Sequence, residues 1–271
     1  MGAVLLLLRL LDHCQVNRLR LLLYAWNPLV VYETAQAGHL EAVVVLCTLA
    51  TLLAAAKARM NLAFASLALA TSVKLYPALL IAVCAKGRVV RCALIFAAVL
   101  LCTYAPYLAE YDKLPGFLPR YFSDPGEIIN LGLPSLLFTV FPPVLAGWVL
   151  RLTVVGVAVG IFACQDSNRA NHPEIFLRQV YLLMSVHTLL LYPALYPWYL
   201  LWLMPLLCIF LSPGWLYFSC ASALVYTTWP TPGWVLWAEY APLYGLLGAE
   251  LLRRKKRAAA HGNLARPAFM R

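Results

Sequence analysis

Apolar residues fill this chain in long blocks, and the polar positions between them are few, short and mostly basic or proline-bearing. A helix that crosses a bilayer needs roughly 20 apolar residues, whereas blocks of about 10 to 14 read as half-spans or re-entrant pieces. On that scale the pattern predicts helices over 21–32, 42–56, 92–108, 144–164, 177–192, 199–211, 215–229 and 240–252. An apolar stretch over 1–11 is too short to span and looks like the inner half of a helix that begins partway through the membrane. Between Arg59 and Lys86 the block divides in two, 61–73 and 75–85, around "KLYP" at 74–77. Proline lacks an amide donor and disfavours helix in the residue before it, so a re-entrant hairpin turning at that point is expected. Protein or a cavity must then satisfy the exposed backbone of the turn. The fold class predicted is all-α, a polytopic transmembrane bundle with short and re-entrant helices.

Composition sharpens this picture. Hydrophobic residues make up 63% of the 271, charged residues only 12%, and the mean hydropathy is +0.78, outside the range of a soluble globular domain. The net charge of +10 would suggest nucleic acid in a soluble protein. Here the basic residues form clusters between apolar runs: Arg18 and Arg20, Lys57 and Arg59, Lys86, Arg88 and Arg91, Arg169 and Arg178, and the run Arg253, Arg254, Lys255, Lys256 and Arg257. That is the positive-inside pattern, and it excludes nucleic acid as the partner. With these clusters cytoplasmic, the helices alternate outward and inward without a forced step. Residues 1–252 form the transmembrane domain, and 253–271 are expected as a disordered basic tail on the cytoplasmic side of a plasma membrane. The outer loops then hold Glu33, Glu41, Glu110, Asp112, Asp124, Glu127 and Glu239. Cys47, Cys84, Cys92, Cys102 and Cys208 lie inside apolar segments without CxxC spacing and read as small buried hydrophobes.

The candidate chemistry begins in "NPLVVYETAQAGHLEAVVVL" at 27–46, which sets Glu33, Gly38, His39 and Glu41 between two apolar runs. These polar residues are either a solvated loop, with Glu41 capping the next helix, or part of an outer-face site. Asn27-Pro28 reads as a kink. Lys74 is an ammonium at membrane depth, a functional-site hypothesis by default, with snorkelling or capture of freed carbonyls as its structural reading. Arg151, within its apolar block, suits either a carboxylate or a phosphate. His187 reads as a satisfied core histidine. Tyr192, Tyr196, Trp198 and Tyr199 are an interfacial aromatic belt that could also stack on a sugar. No haem, flavin, nucleotide or zinc motif is present.

Three pieces, "AWNPLVVYETAQAGHLEAVV", "ALATSVKLYPALL" and "LYPALYPWYLLWLMPLL", together resemble polyprenyl-phosphate-sugar-dependent membrane glycosyltransferases of the GT-C superfold, in particular the bacterial mannosyltransferase group. The similarity spans roughly 19–213. It implies a bundle that transfers a hexose, mannose first, from a polyprenyl-phosphate carrier to a lipid-linked or glycan acceptor on the outer face. In such enzymes an acidic first outer loop supplies the catalytic base and precedes the "NPL" piece by one or more helices. Only residues 1–12 and a short link precede it here, so the base is unassigned, with Glu33, Glu41 and His39 as candidates. The resemblance further suggests Lys74 and Arg151 for the donor phosphate and Asn27, Tyr196, Trp198 and Tyr199 for substrate. It names no certain cofactor or metal and leaves a divalent cation open. A non-catalytic subunit or truncated copy of the same fold is the alternative reading. A transporter, which broken helices and an intramembrane lysine would also suit, is the third.

Overall fold

The computed structural model describes residues 1–85, 87–113, 116, 132–164, 173–191, 195–226 and 233–260, and every regular element among them is helical. The first layer is built from three helices. In α1 (Gly2–His13) Leu7, Leu10 and Leu11 are fully buried, three and four residues apart, so they share one face. That helix packs on α4 (Glu41–Ala56), which also forms a tight pair with α5 (Met60–Val73). Ala63, Ala68 and Ala70 on α5 are completely buried beside Phe64 and Leu67. Small side chains of this kind let two helix backbones approach closely.

Between α1 and α4 the chain is a series of short pieces rather than the single helix predicted over 21–32. A 3-10 turn (Arg18–Leu21) leads to α2 (Leu22–Ala25), and the helix then breaks at Asn27 before α3 (Pro28–Val31). The break has a local cause: Asn27 is extended, its Oδ1 accepts the amide of Leu29, and Pro28 takes the first helical position, where its missing donor is no loss. A π turn (Tyr32–Gln36) follows, and the chain bends by 117° into α4.

The break expected at 74–77 is present. Lys74 ends α5 with extended backbone, a 3-10 turn (Tyr76–Leu80) begins at Pro77's neighbour, and α6 (Ile81–Cys84) follows. The 3-10 turn folds back against α5.

After it, α7 (Val89–Tyr104) runs on as a 3-10 segment (Ala105–Lys113), and α8 (Leu133–Val140) leads into α9 (Pro143–Ala163). The eight residues of α8 were not anticipated, because the loop was expected to run to Pro134; that proline sits in the helix's first turn, a position it favours. The helix predicted over 177–192 is α10 (Pro173–Leu189). Two helical spans, Val89–Glu110 and Pro143–Ala163, are long and apolar enough to cross a membrane, and a third qualifies if the bent pair of 28–36 and 41–56 counts as one. Along α7 the apolar side chains Val90, Leu94 and Leu101 are two-thirds or more exposed, a surface suited to an apolar solvent.

The remaining elements depart further from the sequence pattern. The helix predicted over 199–211 is instead a 3-10 turn (Pro197–Trp202) and α11 (Met204–Leu207), each with a proline in its first turn. Here α12 (Pro213–Ala221) continues as a 3-10 turn (Ser222–Tyr226) and packs on α13 (Gly233–Ala260). At 28 residues α13 is about 42 Å long. It overturns two expectations: Glu239 is buried within it rather than placed in a loop, and the tail expected to be disordered from 253 continues as helix to Ala260. Cys102 is exposed, unlike the buried Cys84, Cys92 and Cys208. Lys86, Asp124, Glu127, Arg120, Arg169, Tyr192 and residues 261–271 lie outside the described residues.

Candidate functional site

The π turn and the bend after it decide where the first polar residues point. The amide of Ala37 donates to the carbonyl of Tyr32, one residue wider than α-helical spacing, and the amide of His39 donates to the carbonyl of Glu33 at 3.0 Å. Gly38 closes this turn at φ +66, a left-handed conformation open to glycine at little cost. The reversal brings the side chains of Glu33, His39 and Glu41 to one place at the head of α4.

Glu33 and Glu41 are 0% and 1% exposed, which overturns the solvated-loop reading. Nor does Glu41 cap α4: it occupies the first helical position without a capping bond, and its Oε1 lies 3.0 Å from the Lys74 ammonium. His39 stands between the carboxylates, Nε2 at 3.3 Å from Glu33 and Nδ1 at 3.9 Å from Glu41. A neutral imidazole carries one N–H, so only the protonated ring can donate toward both. The hydroxyl of Tyr226 donates to Glu33 Oε1 at 2.9 Å. Lys74 and His39 remain about one-third exposed, so the cations form the open side of the cluster and the carboxylates its floor.

Rings from the 3-10 turn over 197–202 border that open side. Trp198 stacks on His39 at 4.5 Å and on Tyr196 at 4.3 Å, the latter pair within 8° of parallel. The Lys74 ammonium lies 5.8 Å from the Tyr199 ring centre, at cation–π distance. Beneath, Tyr199 stacks on Trp202, whose indole N–H donates to Thr188 Oγ1 at 2.8 Å. Tyr76 and His187 pack on the same indole. His187 was expected to be a satisfied core residue, yet its buried Nε2 has no hydrogen-bond partner among the described residues.

Of the residues singled out in the sequence, Glu33, His39, Glu41, Lys74, Tyr196, Trp198 and Tyr199 thus come together. Two do not. Asn27 is tied into the fold: besides capping α3, its Nδ2 donates to Ser219 Oγ at 3.0 Å, which pins α3 to α12. Arg151 lies 5.6 Å from the Trp148 ring on α9, a helix packed on α6, α8 and α10, and none of the cluster's contacts given above runs to it. Tyr226 is the member the sequence did not reveal, one of fifteen tyrosines with no motif around it. No group of three or more His, Cys, Asp or Glu side chains able to hold a metal ion occurs among the described residues. Compared with protein-family models, with curated proteins and with solved structures, the chain matches none.

Proposed function

We propose that this chain is a GT-C-type glycosyltransferase, a multi-pass protein of the bacterial plasma membrane with a cytoplasmic C-terminal segment. It moves a hexose, mannose first, from a polyprenyl-phosphate carrier to a lipid-linked or glycan acceptor at the outer face. One observation carries the reading: two buried carboxylates, a histidine and a half-exposed lysine meet beside stacked aromatic rings. Glycosyl transfer from a lipid phosphate calls for that set of groups. The acceptor oxygen bonds to the anomeric carbon as the bond from that carbon to the phosphate oxygen breaks and its electron pair leaves on the phosphate. The acceptor's proton passes to a carboxylate, Glu33 or Glu41, acting as general base. Lys74 offsets the charge that grows on the departing phosphate. Tyr196, Trp198 and Tyr199 flank the space where the sugar would lie, as aromatic rings do in carbohydrate sites.

The purified chain is assayed in lipid discs with polyprenyl-phosphate mannose and a lipid-linked acceptor, beside Glu33→Gln and Glu41→Gln. The carboxylate that serves as base loses about a hundredfold or more of its turnover as the amide. Equal turnover in all three proteins would place the base elsewhere, and an inactive parent chain would remove the reading itself.

A further inference from the structure

We infer that Glu41 and a lipid phosphate compete for Lys74, so that arrival of the phosphate takes the ammonium from Glu41 and frees that carboxylate. The inference rests on the transferase reading for the identity of the lipid, while the exchange itself follows from the geometry.

The ion pair is asymmetric. Its carboxylate is 2% exposed at the side chain and its ammonium 35%, so an anion reaching the cluster from outside meets the cation and not the acid. The contact is close, at 3.0 Å, yet Glu41 Oε1 makes no aligned hydrogen bond among the described residues. An ammonium has three donors on a flexible stem and can turn from one oxygen to another. Lys74 also ends α5 in extended backbone at the edge of a helix break, where its stem is not held in a helical row. Below it, the Tyr199 ring supports the charge in either position.

Release has a consequence for Glu41. A carboxylate buried to this degree and parted from its cation is strongly disfavoured as an anion. The charged or titratable groups facing it are His39 at 3.9 Å, the hydroxyls of Tyr76 and Tyr199, and, across His39, Glu33. Of these only His39 can supply a positive charge. Glu41 therefore takes up a proton when the phosphate binds. Pairing with Lys74 keeps it unreactive in the empty site, and the substrate's own anion turns it into a base.

Farnesyl phosphate, which carries no sugar, is the probe. Binding is followed by calorimetry in two buffers of different ionisation enthalpy, with the parent chain, Glu41→Gln, Glu33→Gln and Lys74→Gln in lipid discs. Glu41→Gln should bind about fivefold or more tightly than the parent, since the competing internal anion is gone. Glu33→Gln should change affinity less than twofold, and Lys74→Gln should lose binding. The parent should take up about one proton per ligand and Glu41→Gln none. Equal or weaker binding by Glu41→Gln overturns the exchange, and so does binding to the parent without proton uptake, a measurement that needs no variant to fold. Inorganic phosphate runs as a parallel arm: affinity equal to that of farnesyl phosphate would overturn the lipid as ligand. Because no sugar is present, a chain that shows the exchange but transfers no mannose would refute the transferase reading alone.

Discussion

At the scale of single residues, the cluster depends on partners that keep buried acids from standing alone. Tyr226 is the clearest case, since its hydroxyl is the hydrogen-bond donor to Glu33 Oε1 among the described residues. Tyr226→Phe keeps the ring beside Tyr32 and removes only that bond. A buried acceptor stripped of its donor costs about 1–3 kcal/mol. Denaturant titration of the variant in mild detergent should show a loss in that range, with turnover falling as Glu33 shifts. A variant as stable as the parent would mean that Glu33 is held by His39 alone. His39 meanwhile has two tasks, joining the carboxylates and presenting a flat face to Trp198, so its replacement by a non-aromatic residue disturbs both.

At the scale of elements, breaks matter more than helices. Asn27 halts one helix and starts the next, and through Ser219 it ties the start of α3 to α12. Asn27→Ala loses a cap and leaves Ser219 without its partner, which together cost about 2–3 kcal/mol. A matching Asn27→Ala, Ser219→Ala pair should lose clearly less than the sum of the single changes, because both share one bond. Stability measured for all three proteins checks this, and strict additivity would show that the 3.0 Å contact contributes nothing. Such breaks were legible where a proline stood in a charged or polar setting, at Pro28 and at Pro77. They were not legible over 199–211, where Pro205 sits in unbroken apolar sequence and local signals gave way to packing. The opposite error arose at Arg253 to Arg257: charge was read as disorder, although arginine, lysine and alanine are good helix formers and α13 simply continues through them. In the site, the nearness of Glu33, His39 and Glu41 could be read because nine residues hold all three. The pairing of Glu41 with Lys74, 33 positions on, and the arrival of Tyr226 depend on tertiary folding and left no local trace.

At the scale of the whole molecule, the exposed apolar flank of α7 and the basic clusters orient the chain in one way only: clusters inward, acidic cluster outward. Single cysteines placed at Lys57 and Lys86 in a cysteine-free background should both react with an impermeant maleimide only after cells are opened. Labelling of one of them from outside would require a continuous crossing between the two and would discard the hairpin at 74–77. In the same preparations, protease outside sealed cells should spare the segment after Leu252. One local feature governs how this architecture tolerates change in length. The π turn at Tyr32–Gln36 carries one residue more than an α-helical turn would need. Loss of any one residue there restores ordinary spacing and rotates everything before the gap by about 100° against α4. Glu33 would swing away from His39 and Glu41 with every charged residue still present. The site is thus encoded in phase as well as in composition, and a one-codon deletion could dismantle it more completely than the substitution of either acid.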